Sequence, residues 1–168
     1  MADTSQLSFE ALVVTYYQPL YKFAYSLSKS PDDASDLTQQ TFLIWAEKGH
    51  TLRDPSKVKS WLFTSLYREF LRQSRRGQKV TAIDQEILQT KHDPDLVSSV
   101  RQMEGNEALE ALQELDDVYK EPLTLFYLEN LAYKEIAAVL DIPIGTVMSR
   151  LARGKAQLKS LLSEKFRK

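Results

Sequence analysis

Apolar residues recur every three or four positions through most of this chain, and nowhere do β-branched residues alternate with polar ones over a strand's length. A spacing near 3.6 gathers side chains on one helical face, whereas a half-buried strand needs a period of two. The chain therefore reads as all-α. A first helix is expected over residues 9–27, with Leu12, Tyr16, Leu20, Phe23 and Leu27 on one stripe. Ser30-Pro31-Asp32-Asp33 then supplies an N-cap hydroxyl, a proline at the first helical position and two acids that complement the helix dipole. This second helix should run to about Lys48 and stop at Gly49. Asp54-Pro55-Ser56 repeats the start signal for a third, from about Val58 to Arg76, ending at Gly77. Residues 77–94 are polar with isolated apolar points and read as a flexible linker. Beyond it, Asp95 can cap a further helix carrying Val97, Val100, Leu109, Leu112 and Leu115, and Pro122 is placed to open another, over residues 123–129.

At 168 residues the chain fits one ordinary domain or two very small ones, each near the lower limit for independent stability. The linker favours two: residues 1–77 and 105–168, joined by 78–104. The net charge of −1 hides a strong pattern. Residues 51–82 hold eight Lys/Arg against two Asp/Glu, and residues 148–168 hold seven against one, whereas residues 83–121 hold three against eleven. Two basic blocks divided by an acidic one suggest two polyanion contacts on a chain that is not globally basic. With no cysteine, disulfides, zinc ribbons, iron–sulfur clusters and thiol nucleophiles are excluded, and with only His50 and His92 as imidazoles a zinc site is not expected. No apolar run approaches a membrane span and the N-terminus lacks signal-peptide features, so a cytoplasmic protein is expected.

The second basic block ends a recognisable unit. Tyr133-Lys134-Glu135-Ile136-Ala137-Ala138-Val139-Leu140 reads as a helix, Asp141-Ile142-Pro143 as a turn, and residues 144–162 as a second helix, which is a helix-turn-helix pattern. Ala137 is small where the helices cross, Asp141 tolerates the left-handed geometry of the turn, and Val147 plugs the angle between them. Ile136, Leu140, Ile142 and Leu151 complete the seam. Thr146, Ser149, Arg150, Arg153 and Lys155 are then expected on the exposed face, able to donate to phosphates or base edges in a major groove.

In the first half, Arg53, Lys57, Lys59, Arg68, Arg72, Arg75, Arg76 and Lys79 interleave with Trp61, Phe63, Tyr67 and Phe70. Cations among aromatics suit single-stranded nucleic acid, where bases stack on rings and the backbone meets positive charge. More than half of these aromatics are expected in the core, with Trp61 and Phe70 able to share a buried face.

As a set, Asp33-Ala34-Ser35-Asp36-Leu37-Thr38-Gln39-Gln40-Thr41-Phe42, Trp61-Leu62-Phe63 leading into Arg75-Arg76, Tyr133-Lys134-Glu135-Ile136-Ala137 and Gly145-Thr146-Val147-Met148-Ser149-Arg150-Leu151 resemble the bacterial extracytoplasmic-function sigma factors of the sigma-70 family. The resemblance spans roughly residues 9–162. It implies a promoter-recognition subunit of RNA polymerase, whose first domain docks on core polymerase and opens the minus-10 element while its second reads the minus-35 element as duplex. Carried over, Asp36, Leu37, Gln39, Gln40 and Phe42 match the core-docking segment. Arg53, Lys57, Lys59, Trp61, Arg68, Arg72, Arg75 and Arg76 match the strand-opening segment, and Thr146, Ser149, Arg150, Arg153 and Lys155 fall on the recognition helix. The resemblance further implies an anti-sigma factor as partner and no cofactor.

The chain departs from the family's pattern at several points. Arg68 stands where an Asn is usual, Arg72 where an Asp is common, Met148 for a basic residue, Asp141 for the turn glycine and Gln40 for a frequent acid. A stand-alone helix-turn-helix regulator is the alternative function, and it would leave the first half idle. An enzyme is not expected, because there is no glycine-rich phosphate loop, no nucleophile elbow and no metal-ligand cluster, and Asp116 and Asp117, as neighbours on a helix, point apart.

Overall fold

A computed structural model describes residues 8–74 and 110–166, with side chains through Glu164. The chain divides into two compact units, Met1–Val80 and Thr81–Lys168. Every regular element among the described residues is helical. The expected linker at 78–104, the helix capped by Asp95 and the cations Arg75, Arg76 and Lys79 lie outside the described residues.

In the first unit, α1 (Phe9–Ser28), α2 (Pro31–Lys48) and α3 (Val58–Ser74) pack against one another in all three pairings. Their ends follow local chemistry. Ser8 Oγ and Ser30 Oγ accept from the amides of Ala11 and Asp33, and Lys29, in the left-handed region at φ 60°, ends α1 with its N–H on the Tyr25 carbonyl. Pro19 stands inside α1, where it has no N–H to give the Thr15 carbonyl. The core is Leu12, Leu20, Phe23 and Leu27 of α1, Leu37, Phe42 and Trp45 of α2, and Val58, Leu62, Phe63 and Leu66 of α3. Phe23 and Phe63 meet at 5.5 Å between ring centroids. The buried hydroxyls of Thr38 and Thr41 donate to the Ala34 and Leu37 carbonyls one turn back, so neither is left unsatisfied.

Between α2 and α3 the chain makes two short 3-10 turns, Gly49–Thr51 and Pro55–Lys57. Of the four aromatics only Phe63 and Tyr67 are core, half rather than the expected majority, and Trp61 and Phe70 are half-buried and do not share a face. Nine residues at about 100° each is two and a half turns, which sets them on opposite sides of α3. Trp61 packs on Trp45 and Phe70 on Tyr67.

In the second unit, α4 (Asp117–Leu123) continues through a wider π-type stretch, Thr124–Leu128, before α5 (Tyr133–Leu140) and α6 (Ile144–Phe166). The helix starts at Asp117, not at Pro122, which stands inside it. A proline so placed withholds the amide that would reach Val118, and the ladder widens directly after it. Asn130 at φ 56° turns the chain out. At α5, the Glu135 carboxylate accepts from the Ala132 amide at 3.0 Å, half of a capping box. Asp141, at φ 55°, takes the left-handed position of the turn, and the amides of both Asp141 and Ile142 donate to the Ala137 carbonyl. Val147 is fully buried between the two helices, with Ile136, Leu140 and Leu151 around it. Where α4 crosses α6, Gly154 admits Leu123 and Tyr119, since a Cβ there would lie 2.6 Å from Leu123 Cδ1 and 3.1 Å from Tyr119 Cβ.

Candidate nucleic-acid and polymerase interfaces

The expected docking residues on α2 separate into two sets. Asp36 and Gln39 are exposed and Gln40 is half-exposed, but Leu37 and Phe42 are packed inside the first unit. Phe42 stacks with Tyr17 at 6.5 Å and takes Phe9 edge-on at 6.2 Å. The helical period explains the split, because positions 34, 37, 38, 41, 42 and 45 form one stripe and 36, 39, 40, 43 and 47 the opposite one. On that outer stripe the residue missed by the sequence reading is Leu43, 57% exposed. Its signal was present, as an aliphatic side chain about 180° from the buried stripe.

A basic face lies on the loop before α3 and along the helix. Arg53, Lys57, Arg68 and Arg72 are exposed, and Lys59 and Trp61 are half-buried. Asp54 organises the entry, its Oδ1 accepting from the Ser56 hydroxyl at 2.7 Å and the Ser56 amide at 3.0 Å. Those two bonds hold its carboxyl below the usual carboxylate range, with a smaller contribution from Lys57. Positions 61, 65, 68 and 72 share one stripe of α3, and the Trp61 ring at its start is fixed from α2 by Trp45. Near its end, Glu69, which the sequence reading passed over, accepts from Arg72 Nε at 3.1 Å and from Arg72 Nη2 at 2.6 Å. That contact raises the guanidinium's proton affinity, the hydrogen bond first and the charge second.

On α6 the expected recognition face does not stand as one exposed row. Thr146 and Arg153 are half-exposed, but Ser149 is fully buried, Arg150 is 9% exposed and Lys155 is 5% exposed. Two of the three corrections have a plain geometric cause. Val147, Leu151, Gly154, Leu158 and Leu162 form the seam of α6, and positions 150 and 155 flank it on either side, within about 80° of its centre. Lys155 Nζ lies 5.2 Å above the ring of Phe126, a cation–π contact inside the unit. Ser149 lies on the side away from the seam and is covered nonetheless. Among the described residues no helix is long and apolar enough to cross a membrane.

The family model for Sigma-70 region 2 matches residues 12–80, and the model for Sigma-70, region 4 matches residues 105–158. The ECF RNA polymerase sigma factor SigM of Bacillus subtilis is 32% identical over 92% of this chain and 95% of its own length. The ECF RNA polymerase sigma factor SigE of Mycolicibacterium smegmatis is also 32% identical, over 94% of this chain and 62% of its own. Among solved structures, the sigma factor RpoE of Bartonella quintana, in complex with the anti-sigma factor NepR, superposes with a TM-score of 0.67 at 27% identity, over 92% of this chain and 96% of that one.

Proposed function

Because this chain belongs to the sigma-70 family as an ECF RNA polymerase sigma factor, directing core polymerase to specific promoters, we propose how its residues divide that work. Residues 1–77 form the domain that docks on core polymerase and opens the minus-10 element, residues 105–168 the domain that reads the minus-35 element, and residues 78–104 join them. The outer stripe of α2 meets core polymerase through Asp36, Gln39, Gln40 and Leu43, while Leu37 and Phe42 hold that stripe in place from behind.

The face that opens DNA is built from Arg53, Lys57, Lys59, Trp61, Arg68 and Arg72, continued in sequence by Arg75 and Arg76. Its arrangement suits a strand being unpaired, with cations along the backbone path and one half-buried indole, Trp61, among them for a base to stack on. On α6, Thr146 and Arg153 contact the minus-35 duplex directly, and Arg150 and Lys155 set the tilt of the recognition helix through its packing. The protein has no catalytic residues in this reading, works in the cytoplasm, and is held inactive by an anti-sigma factor. The RpoE structure, solved with such a partner, supports the last point.

The observation that carries this reading is the pairing of an exposed basic face on α3 with a helix-turn-helix, in a chain that an ECF sigma factor matches over 92% of its length. The test is transcription from fragmented genomic DNA by core polymerase with and without the protein, sequencing the RNA starts. New starts sharing two spaced upstream elements are expected. Tight binding to duplex DNA without core polymerase, and no new starts, would favour a stand-alone regulator.

A further inference from the structure

Glu69 is a carboxylate on the core side of α3. Its side chain is 8% exposed, and it shares a stripe with Val58 and Leu62, both buried. Arg72, one turn further on, is 67% exposed. The carboxylate takes the guanidinium from the side, through Nε and Nη2, and is itself held by Gln73 Nε2 at 3.2 Å.

This geometry has a chemical consequence. A guanidinium has five N–H donors, and a side-on carboxylate occupies two of them. The parallel pair at the far end, one N–H each from Nη1 and Nη2, takes no partner among the described residues, and Arg72 stands at the end of the α3 stripe that also carries the half-buried Trp61 and Ser65 and the exposed Arg68. The same contact sets a carboxylate directly against the arginine's charge. A cation already paired with a carboxylate is worth less as a phosphate counterion while keeping the directional donors that read a pair of acceptors.

We propose that Glu69 is a positioning residue that aims the end fork of Arg72 at a base carrying two adjacent acceptors, the O6/N7 edge of a guanine in the promoter element nearer the start site. The inference rests on the sigma reading above. Guanine is the base whose edge offers that acceptor pair, and a fork held from behind is preorganised for it. A free arginine on the same helix would wander among phosphates.

The experiment uses the whole protein with core polymerase on a promoter found by start-site sequencing, with the near element randomised base by base. Arg72→Ala should lower the preference for guanine at one position by about tenfold or more, and Arg72→Lys, which keeps the charge and loses the fork, should do the same. Glu69→Gln should flatten that same preference while making promoter binding more salt-dependent by about one counterion, because it frees a full charge. A purely structural role for Glu69 would not steepen the salt dependence, and the helix content of each variant, read by circular dichroism, separates misfolding from lost aim. If Arg72→Ala weakens all sequences alike and makes the salt dependence shallower, Arg72 is a phosphate contact and the proposal fails. It fails equally if Arg72→Ala leaves every base preference intact. If the unsubstituted protein directs no starts at all, the sigma reading itself falls and takes this one with it.

Discussion

The Trp61 indole stands edge-on to Trp45, with ring centroids 5.1 Å apart and planes crossing at 81°. Trp45 is core and Trp61 is half-buried, so the contact ties a ring on the proposed DNA face to the interior of α2. The helix assigned to polymerase docking and the helix assigned to strand opening thereby share a rigid joint.

Gly49 makes that joint possible. A Cβ at this position would lie 2.5 to 2.8 Å from three atoms of the Trp45 ring, which has no flexible end to give way. The backbone at φ −58° would accept alanine, and the lost chain entropy favours it by only about 0.4–1 kcal/mol. Overpacking costs about 1–3 kcal/mol and wins. Gly49→Ala should therefore lower the urea midpoint of the first unit and shift its tryptophan fluorescence, whereas an unchanged midpoint would mean the indole moves freely.

Leu43 and Phe42 are adjacent and should behave oppositely. Leu43→Lys removes an exposed aliphatic contact, so affinity for core polymerase should fall by about tenfold while stability changes by less than about 0.5 kcal/mol. Phe42→Ala empties a packed site and should destabilise the first unit by about 3–5 kcal/mol. Co-elution with polymerase alongside thermal melts distinguishes the two, and a Leu43→Lys protein that binds core normally would remove the outer stripe of α2 from the interface.

Much of this was legible beforehand, because helix ends are written in short-range chemistry. Ser30 and Asp54 cap as their sequence context indicates, and Asp141 takes the left-handed position that the spacing of the helix-turn-helix demands. What escaped was the side on which a cation ends up. Arg150 and Lys155 look like exposed donors in a basic block, yet the seam through Val147 and Leu151 draws both inward. Lys120 is fully buried, its Nζ 3.0 Å from Asp117 Oδ1 and 3.2 Å from Gln113 Oε1. Lys155 meets the Phe126 ring from far along the chain, whereas Lys120 finds its acceptors within seven positions, and hydropathy assigns all these residues to water. Pro122 misled for a related reason, since proline is a start signal only when nothing upstream has already begun the helix.

On α6, Arg153 and Arg150 should part company as well. Arg153→Ala should weaken minus-35 binding by about 1–3 kcal/mol with little change in folding, as measured by fluorescence anisotropy on duplex promoter DNA with the holoenzyme. Arg150→Ala should instead lower the melting temperature of the second unit, through lost packing of its aliphatic stem. Equal promoter affinity for Arg153→Ala and the unsubstituted protein would count against its assignment.

Asp54 gives the first unit a response to acid. A carboxyl held below its ordinary value contributes stability that is present above about pH 4 and is lost as pH falls through the depressed value. The entry to α3 should loosen there first, seen as a shift of the Ser56 amide resonance ahead of global unfolding. Asp54→Asn keeps an oxygen acceptor without the ionisation, and its Ser56 resonance should stay flat over the same range.

Pro19 interrupts the hydrogen-bond ladder of α1 at one rung, and that gap sets how the helix comes apart. The turns before it carry Phe9 and Val14 on the outside, 46% and 83% exposed, and one core residue, Leu12, whereas those after it carry Leu20, Phe23, Ala24 and Leu27 in the core. Amide exchange in α1 should accordingly occur in two blocks, the outer turns opening on their own and the inner ones only when the whole unit melts. Fraying of the chain's first turns is thereby contained at residue 19, and the part of α1 that braces α3 keeps its protection.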